Sequence, residues 1–395
     1  MGAATAEARV HNNSGVNPLS RIMHVVPEAI FRSSESIHPA DWREREGVMV
    51  APSLNDADLA GFSINPIIDR NVPGIGNVKL HSIRKEVGRR STDSTSRIHR
   101  LYTVELNGYE HAMEITDPAN SKPDYVISSL PGWTEHIEGE LRKRLQVNLA
   151  LQFPSARIAS IATNGVGKTG GRYRWRERDQ HGLDAMGAQR VLLVRAVSGD
   201  LSVIGQGTSM GSVIDHRMGR ANFDNDKTRP QIKINLAGQI WSSPAIMSPE
   251  QAKERMKTGR FLRNFGSGVT RELVTKTSPL AALDLGMAAL LRYGFDVPDI
   301  LPMTHQVDEL RQGTELEEAG QVVEQAPTLV IAGEKDDLFD HEFMDALARR
   351  YDGHFRIVLI PGRGHEITMK ADKNCRKTSS AAQFLVERAL NGLTI

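Results

Sequence analysis

From Asp124 to the C-terminus, short uninterrupted apolar runs alternate with longer helix-forming stretches, and this feature limits the fold more than any other. The runs Asp124–Leu130, Arg157–Ala162, Leu201–Gly205, Ile232–Ala237, Thr328–Ala332 and Phe355–Ile360 read as strands. Between and after them lie four stretches with helical character: Thr134–Phe153, Leu183–Val197, His341–Tyr351 and Ser379–Leu390. In the first of these, Leu141, Leu145 and Leu149 recur at four-residue spacing and mark one helix face. Such alternation predicts an α/β fold, with a mostly parallel central sheet and helices on both faces. The strand runs are continuously apolar rather than alternating, as burial of a sheet from both sides requires.

The rest of the chain departs from this rhythm in two places. Residues 1–40 mix Asn, Ser, Pro and His with little periodicity and read as an irregular arm. Glu46–Pro52 and Leu101–Leu106 then read as strands, and Asn107-Gly108 marks a tight hairpin returning through His111–Ile115. The second departure is 245–325, rich in helix formers and without a convincing strand. Ser248-Pro249-Glu250 is a helix start there, with serine as cap and proline in the first turn. The expected organisation is an arm over 1–40, a core over 41–244 and 326–395, and a helical insertion over 245–325.

Composition removes several classes of protein. The 49 basic residues balance 48 acidic ones, so no global field favours nucleic acid or an acidic membrane. The single cysteine, Cys375, excludes an internal disulfide and any multi-cysteine metal site. No apolar run reaches the roughly 20 residues that span a bilayer. Met1–Asn13 lacks the basic stretch and apolar core of a secretory signal, and the expected location is the cytoplasm.

Three short segments carry chemistry. Gly205-Gln206-Gly207-Thr208-Ser209-Met210-Gly211 joins a strand to an apolar stretch beginning at Ser212. A serine hydroxyl is a weak nucleophile until a base takes its proton, so it must stand where base and substrate both reach it. A sharp strand-to-helix turn does this, and Gly207 and Gly211 remove the side chains that its crowding forbids. The second segment, Thr328–Asp337, ends a buried strand in Gly333-Glu334-Lys335-Asp336-Asp337. Asp336 there would lie at the sheet's carboxyl edge and could orient an imidazole. Asp337 and Asp340 are rivals, and a plain role for Asp336 as cap of the following helix also fits. The third, Ile357–His365, sets His365 on a glycine-containing loop after the last strand, and a histidine's pKa suits a general base.

Serine, acid and histidine, each just past a successive buried strand, stand in the order of the α/β-hydrolase triad. The chain resembles the α/β-hydrolase superfamily from about Glu46 to its C-terminus: Gly-Thr-Ser-Met-Gly resembles its nucleophile elbow, Gly333–Asp336 its acid turn and Gly364-His365 its histidine loop. The resemblance implies an α/β-hydrolase fold whose helical cap is the 245–325 insertion. It implies Ser209 as nucleophile, His365 as base and Asp336 as orienting acid. It also implies an oxyanion hole from the Met210 amide and, in Ser129–Thr134, the Trp133 amide. An ordinary turn with a core tryptophan explains the Trp133 segment equally well. The expected activity is cleavage of a carboxylic ester or thioester of a small molecule through an acyl-enzyme, with no cofactor and no metal. Met247, Met256, Phe261, Leu290 and Leu291 make the insertion apolar and point to a hydrophobic acyl or alkyl group, although core packing explains them as well.

Two other readings compete. Ala162-Thr163-Asn164-Gly165-Val166-Gly167-Lys168-Thr169 resembles a phosphate-binding loop with alanine for its first glycine. Such a loop must run directly into a helix, whereas Gly170–Arg176 follows, glycine-rich and then basic. By resemblance Gly165-Val166-Gly167 matches the hydrolase family's own loop after this strand. Arg172–Arg178, with Tyr173 and Trp175 between arginines, reads as a solvated loop rather than a nucleic-acid patch. The remaining alternative is a hydrolase-fold protein that only binds a ligand or partner.

Overall fold

The structure is a computed structural model. It describes residues 48–50, 75–90, 93–106, 109–119, 121–132, 145–146, 149–150, 152–162, 182–228, 232–256, 305–361, 363–365, 382–383, 385–393 and 395. Among these, ten strands form one sheet: β1 (Val48–Val50), β2 (Ile75–Arg90), β3 (Asp93–Leu106), β4 (Tyr109–Pro118), β5 (Tyr125–Leu130), β6 (Ala156–Ile161), β7 (Ser202–Thr208), β8 (Asn235–Ser242), β9 (Thr328–Gly333) and β10 (Phe355–Ile360). The helices described in full are α1 (Leu183–Ser198), α2 (Met210–Thr228), α3 (Pro249–Arg255), α4 (Leu316–Gln325) and α5 (His341–Arg350).

The sheet order is β1-β2-β3-β4-β6-β5-β7-β8-β9-β10. β5 to β10 run parallel to their neighbours, and β1 to β4 extend one edge as an antiparallel ribbon that joins β6 through β4. The chain leaves β5 toward β6 on one side and leaves β7 toward β8 on the other. β5 and β7 are adjacent, so their carboxyl ends flank a topological switch point, where open α/β sheets hold ligands.

Alternate residues of each central strand feed two apolar layers. Val126, Val203 and Val330 face α1, α2, α4 and α5, while Ile127, Ile204 and Ile331 face helical residues near 145–153 and 382–390. This is the physical content of the continuous apolar runs.

Several element boundaries differ from the expected runs, β7 for instance reaching Thr208 rather than Gly205. The run read as Ile232–Ala237 starts and ends too early, since β8 spans Asn235–Ser242. Ile234 precedes the strand because the Asn222 side chain takes up its N–H at 2.8 Å and donates to its carbonyl at 3.2 Å. Gly238, which reads as a strand end, instead allows close packing: a Cβ there would lie 3.1 Å from the Pro327 carbonyl oxygen and 3.2 Å from Ala389 Cβ.

β3 begins at Asp93, not Leu101, and β2 was not anticipated. Arg97 and Arg100 in the polar half of β3 are buried by pairing. Arg97 donates to the carbonyls of Ala150, Phe153 and Ala156, and Arg100 and Arg157 share Asp117 at 2.7 Å each. The Asn107-Gly108 turn lies outside the described residues, but β3 and β4 pair up to Leu106 and Tyr109, with two residues between them.

The last helix of the expected insertion, α4, lies on the sheet. Ala319 and Val323 join the same apolar layer as α2 and α5, as a crossover helix between β8 and β9 would. No helix among the described residues is long and apolar enough to cross a membrane.

His216, on α2, is fully buried with its ring edge-on to Trp241 at 5.8 Å. Burial, reinforced by the charges of Arg217 and Arg220, holds its pKa well below the ordinary 6.5. The unfolded chain therefore binds a proton below about pH 6.5 that the folded chain refuses, and stability falls with acidification. Between pH 6.5 and the folded pKa, His216 contributes a slope of up to about 1.4 kcal/mol per pH unit. His216→Leu should flatten that part of a urea-midpoint profile between pH 8 and 5, and an unchanged profile would refute the assignment.

Candidate active site

Ser209 sits between β7 and α2 with φ of 54°, in the left-handed region that costs a non-glycine residue free energy. Its backbone N–H donates to the Ser242 carbonyl at 2.8 Å, pinning the turn to the end of β8. A second serine with positive φ, Ser243 at 46°, follows that anchor and donates to the Ile331 carbonyl at 2.7 Å. Sequence reasoning missed Ser242 because its contribution is a backbone carbonyl, which any residue supplies.

The glycines around Ser209 are set by close contact. A Cβ on Gly207 would run into the backbone of Gly211 and Ser212. One on Gly211 would lie 2.6 Å from the Leu130 carbonyl oxygen and 2.8 Å from that of Pro131. Gly132, on the same loop after β5, has room for a Cβ only at 3.4 Å from Ser209 Cβ. The two loops at the switch point are therefore in backbone contact. Gly211→Ala is expected to push the β5 loop away, lowering any ester hydrolysis by about 100-fold and stability by roughly 1–3 kcal/mol. Steady-state kinetics beside thermal unfolding would check this, and wild-type values for both would refute it.

The sheet edge gathers the other two side chains. Ser209 Oγ is 2.7 Å from His365 Nε2, and His365 Nδ1 is 3.0 Å from both Asp336 Oδ1 and Oδ2. A carboxylate only accepts, so Nδ1 carries the proton, and Nε2 is left as acceptor for the Ser209 hydroxyl. Asp336 is buried at 3% exposure and also accepts the Leu338 N–H at 2.9 Å. Ser209 and His365 are half-buried, in contrast to Asp336.

The acid turn and histidine loop are stitched together by backbone. Lys335 N–H donates to the Arg363 carbonyl at 2.7 Å, and Glu334 N–H to that of Ile360 at 3.1 Å. A Cβ on Gly333 would collide with Arg363 and Gly364, so glycine is required where the two loops meet.

Of the rival acids, Asp337 is exposed. Asp340, not Asp336, caps α5: it accepts the Phe343 N–H at 3.2 Å and binds Ser248 N and Oγ at 3.0 and 2.9 Å. Met210 opens α2, so its N–H has no carbonyl one turn back within the helix, and the helix dipole adds positive potential there. Trp133 and the loop from Thr163 to Arg178 lie outside the described residues. Met247 and Met256 are buried in the core at 2% and 0% exposure, so they line no open surface. Phe261, Leu290 and Leu291 lie outside the described residues. Among those described, no group of three or more His, Cys, Asp or Glu is placed to hold a metal ion.

The β4-β6-β5-β7-β8-β9-β10 order, the antiparallel β4 and the strained serine after β7 define an α/β-hydrolase fold. No family model and no curated protein sequence matches the chain. Among solved structures it is similar to a Burkholderia cenocepacia protein assigned as an aryl esterase, with 17% identity, 74% of this chain and 100% of that one covered, and a TM-score of 0.50. It is also similar to Est1E of Butyrivibrio proteoclasticus with bound ferulic acid (16%, 73% and 99%, TM-score 0.46) and to a Bacillus anthracis bromoperoxidase (15%, 71% and 95%, TM-score 0.47).

Proposed function

We propose that this protein is a serine hydrolase that cleaves a carboxylic ester or thioester of a small molecule, with Ser209, His365 and Asp336 as its catalytic triad. The observation that carries the reading is the unbroken hydrogen-bonded path from the Ser209 hydroxyl through His365 to the buried Asp336 carboxylate, at 2.7 and 3.0 Å. In this reading His365 Nε2 takes the hydroxyl proton as Oγ attacks the carbonyl carbon. Asp336 stabilises the imidazolium that forms. The Met210 and Trp133 amides receive the oxyanion, and such preorganised donors typically lower a barrier by a few kcal/mol each.

His365 returns the proton to the departing alcohol or thiol and leaves an acyl-enzyme. Water then attacks with His365 as base, releasing the acid and restoring Ser209. The cap, expected over 245–325, is proposed to begin after β8 and to end by about residue 315, since α4 packs on the sheet. An apolar insertion sequence supports a hydrophobic acyl or alkyl group, which a p-nitrophenyl ester series of graded chain length would test.

The reading itself is tested with a fluorophosphonate probe and peptide mapping of the adduct. Labelling is expected at Ser209 and is expected to vanish in His365→Ala. Absence of labelling in folded wild-type protein would overturn the enzyme reading in favour of a hydrolase-fold binding protein. ATP turnover lost in Lys168→Ala would favour nucleotide hydrolysis.

A further inference from the structure

We propose that Arg190 is a positioning residue that fixes the separation between α2 and the loop after β5 where the two meet beside Ser209. The proposal rests on the serine-hydrolase reading above.

Arg190 extends from α1 and is fully buried. Its guanidinium binds three different elements. Nε donates to Asp215 Oδ1 on α2 at 3.0 Å, Nη2 to Ser128 Oγ on β5 at 2.9 Å, and Nη1 to the Ile161 carbonyl ending β6 at 3.4 Å. α2 is the helix whose first residue is Met210, and β5 is the strand that leads into Leu130-Pro131-Gly132 and then Trp133. One rigid fork therefore spans α2, which opens with Met210, and β5, which leads into the loop that meets Gly211.

Asp215 is fixed from its other side as well. Its carbonyl accepts from Gln239 Nε2 on β8 at 2.9 Å. The contact of α2 with the loop after β5 is the backbone approach of Gly211 to Leu130 and Pro131. The two thus meet at one point near Ser209 and are braced at a second point deeper in the α1–α2 layer. Two points fix an angle that one leaves free.

Stability alone does not account for this pair. Both side chains are at 0% exposure, and burial draws the Arg190 pKa down against the pull of Asp215. Removing two charges from water costs so much that a well-packed apolar pair is often as stable or more so. What an apolar pair lacks is direction. The planar guanidinium offers donors at fixed angles, and it holds α2 and β5 in one relative orientation.

The test uses the full chain with Arg190→Met/Asp215→Leu, which substitutes an apolar pair for the ions, and separately Ser128→Ala, which cuts only the link to β5. Thermal midpoint, kcat and KM for a p-nitrophenyl ester, and the fluorophosphonate labelling rate at Ser209 are measured together. The double variant should keep its KM, lose about 30–100-fold in kcat beyond what any fall in midpoint explains, and label more slowly in parallel, because small misplacements at a reacting centre cost about that much. Its kcat–pH profile should keep its shape, since His365 and Asp336 are untouched. Ser128→Ala should lose about 3–10-fold in kcat at near-constant KM.

Wild-type kcat in a folded double variant overturns the proposal, as does a kcat loss that merely tracks the midpoint. If the double variant does not fold, wild-type kcat in Ser128→Ala overturns it. A wild-type protein that neither labels nor turns over refutes the hydrolase reading instead.

Discussion

Ser209→Ala is expected to lower kcat for an activated ester by about 10⁴–10⁶-fold while leaving KM within a few-fold. In the proposed mechanism the hydroxyl is the group that forms the covalent bond, and water held by the remaining amides does not replace it. The variant keeps the fold because, among the described residues, Ser209 Oγ hydrogen-bonds His365 alone, whereas its backbone N–H, bound to Ser242, is unchanged. A companion variant separates chemistry from folding. Ser209→Gly should be equally inactive yet more stable by about 1 kcal/mol, because glycine adopts a φ of 54° without strain. Steady-state rates and thermal midpoints of the pair decide the matter. Residual activity above a tenth of wild type in Ser209→Ala would remove Ser209 from the mechanism.

Asp336→Asn should cost about 10³–10⁴-fold in kcat with little loss of stability, and the geometry gives the reason. Asp336 Oδ1 accepts the Leu338 N–H at 2.9 Å as well as facing His365 Nδ1. An asparagine keeps one oxygen. With that oxygen shared between Leu338 and Nδ1, an amide NH2 replaces Oδ2 at 3.0 Å from His365 Nδ1 and favours an imidazole that accepts there rather than donates. The proton moves to Nε2, and the imidazole presents a donor to Ser209 where catalysis needs an acceptor. The fluorophosphonate labelling rate should fall in step with kcat, since both require the same proton transfer. A rate within tenfold of wild type would show that the carboxylate does not set the tautomer.

Much of the site was legible in the sequence because it depends on local pattern. Phe355–Ile360 has the bounds its apolar run predicts, and Ser209, Asp336 and His365 each follow a strand as expected. What was misread shares one cause. The polar half of β3 looks like loop until Arg97 and Arg100 are seen to find carbonyls and Asp117 on other elements. Gly238 looks like a strand end until Ala389 and Pro327 are seen to press against it. In each case the residue answers to a neighbour distant along the chain, and no window of sequence contains that neighbour. For Met247 and Met256 the sequence leaves core and substrate surface equally open, and the packed structure places both in the core.

The sequence by itself determined the layering and the chemistry available. Runs apolar on both faces demand a covered parallel sheet, and glycines two residues either side of a serine permit a turn too tight for any other residue. Only the tertiary structure decided which groups meet. Asp336, Asp337 and Asp340 are chemically the same and nearly adjacent. The choice falls on Asp336 because Gly333 lets the acid turn close on Arg363 and Gly364. The bonds that result join residues 29 and 156 positions apart. Side-chain types set what a group can donate or accept, but distance is fixed only when the whole sheet packs.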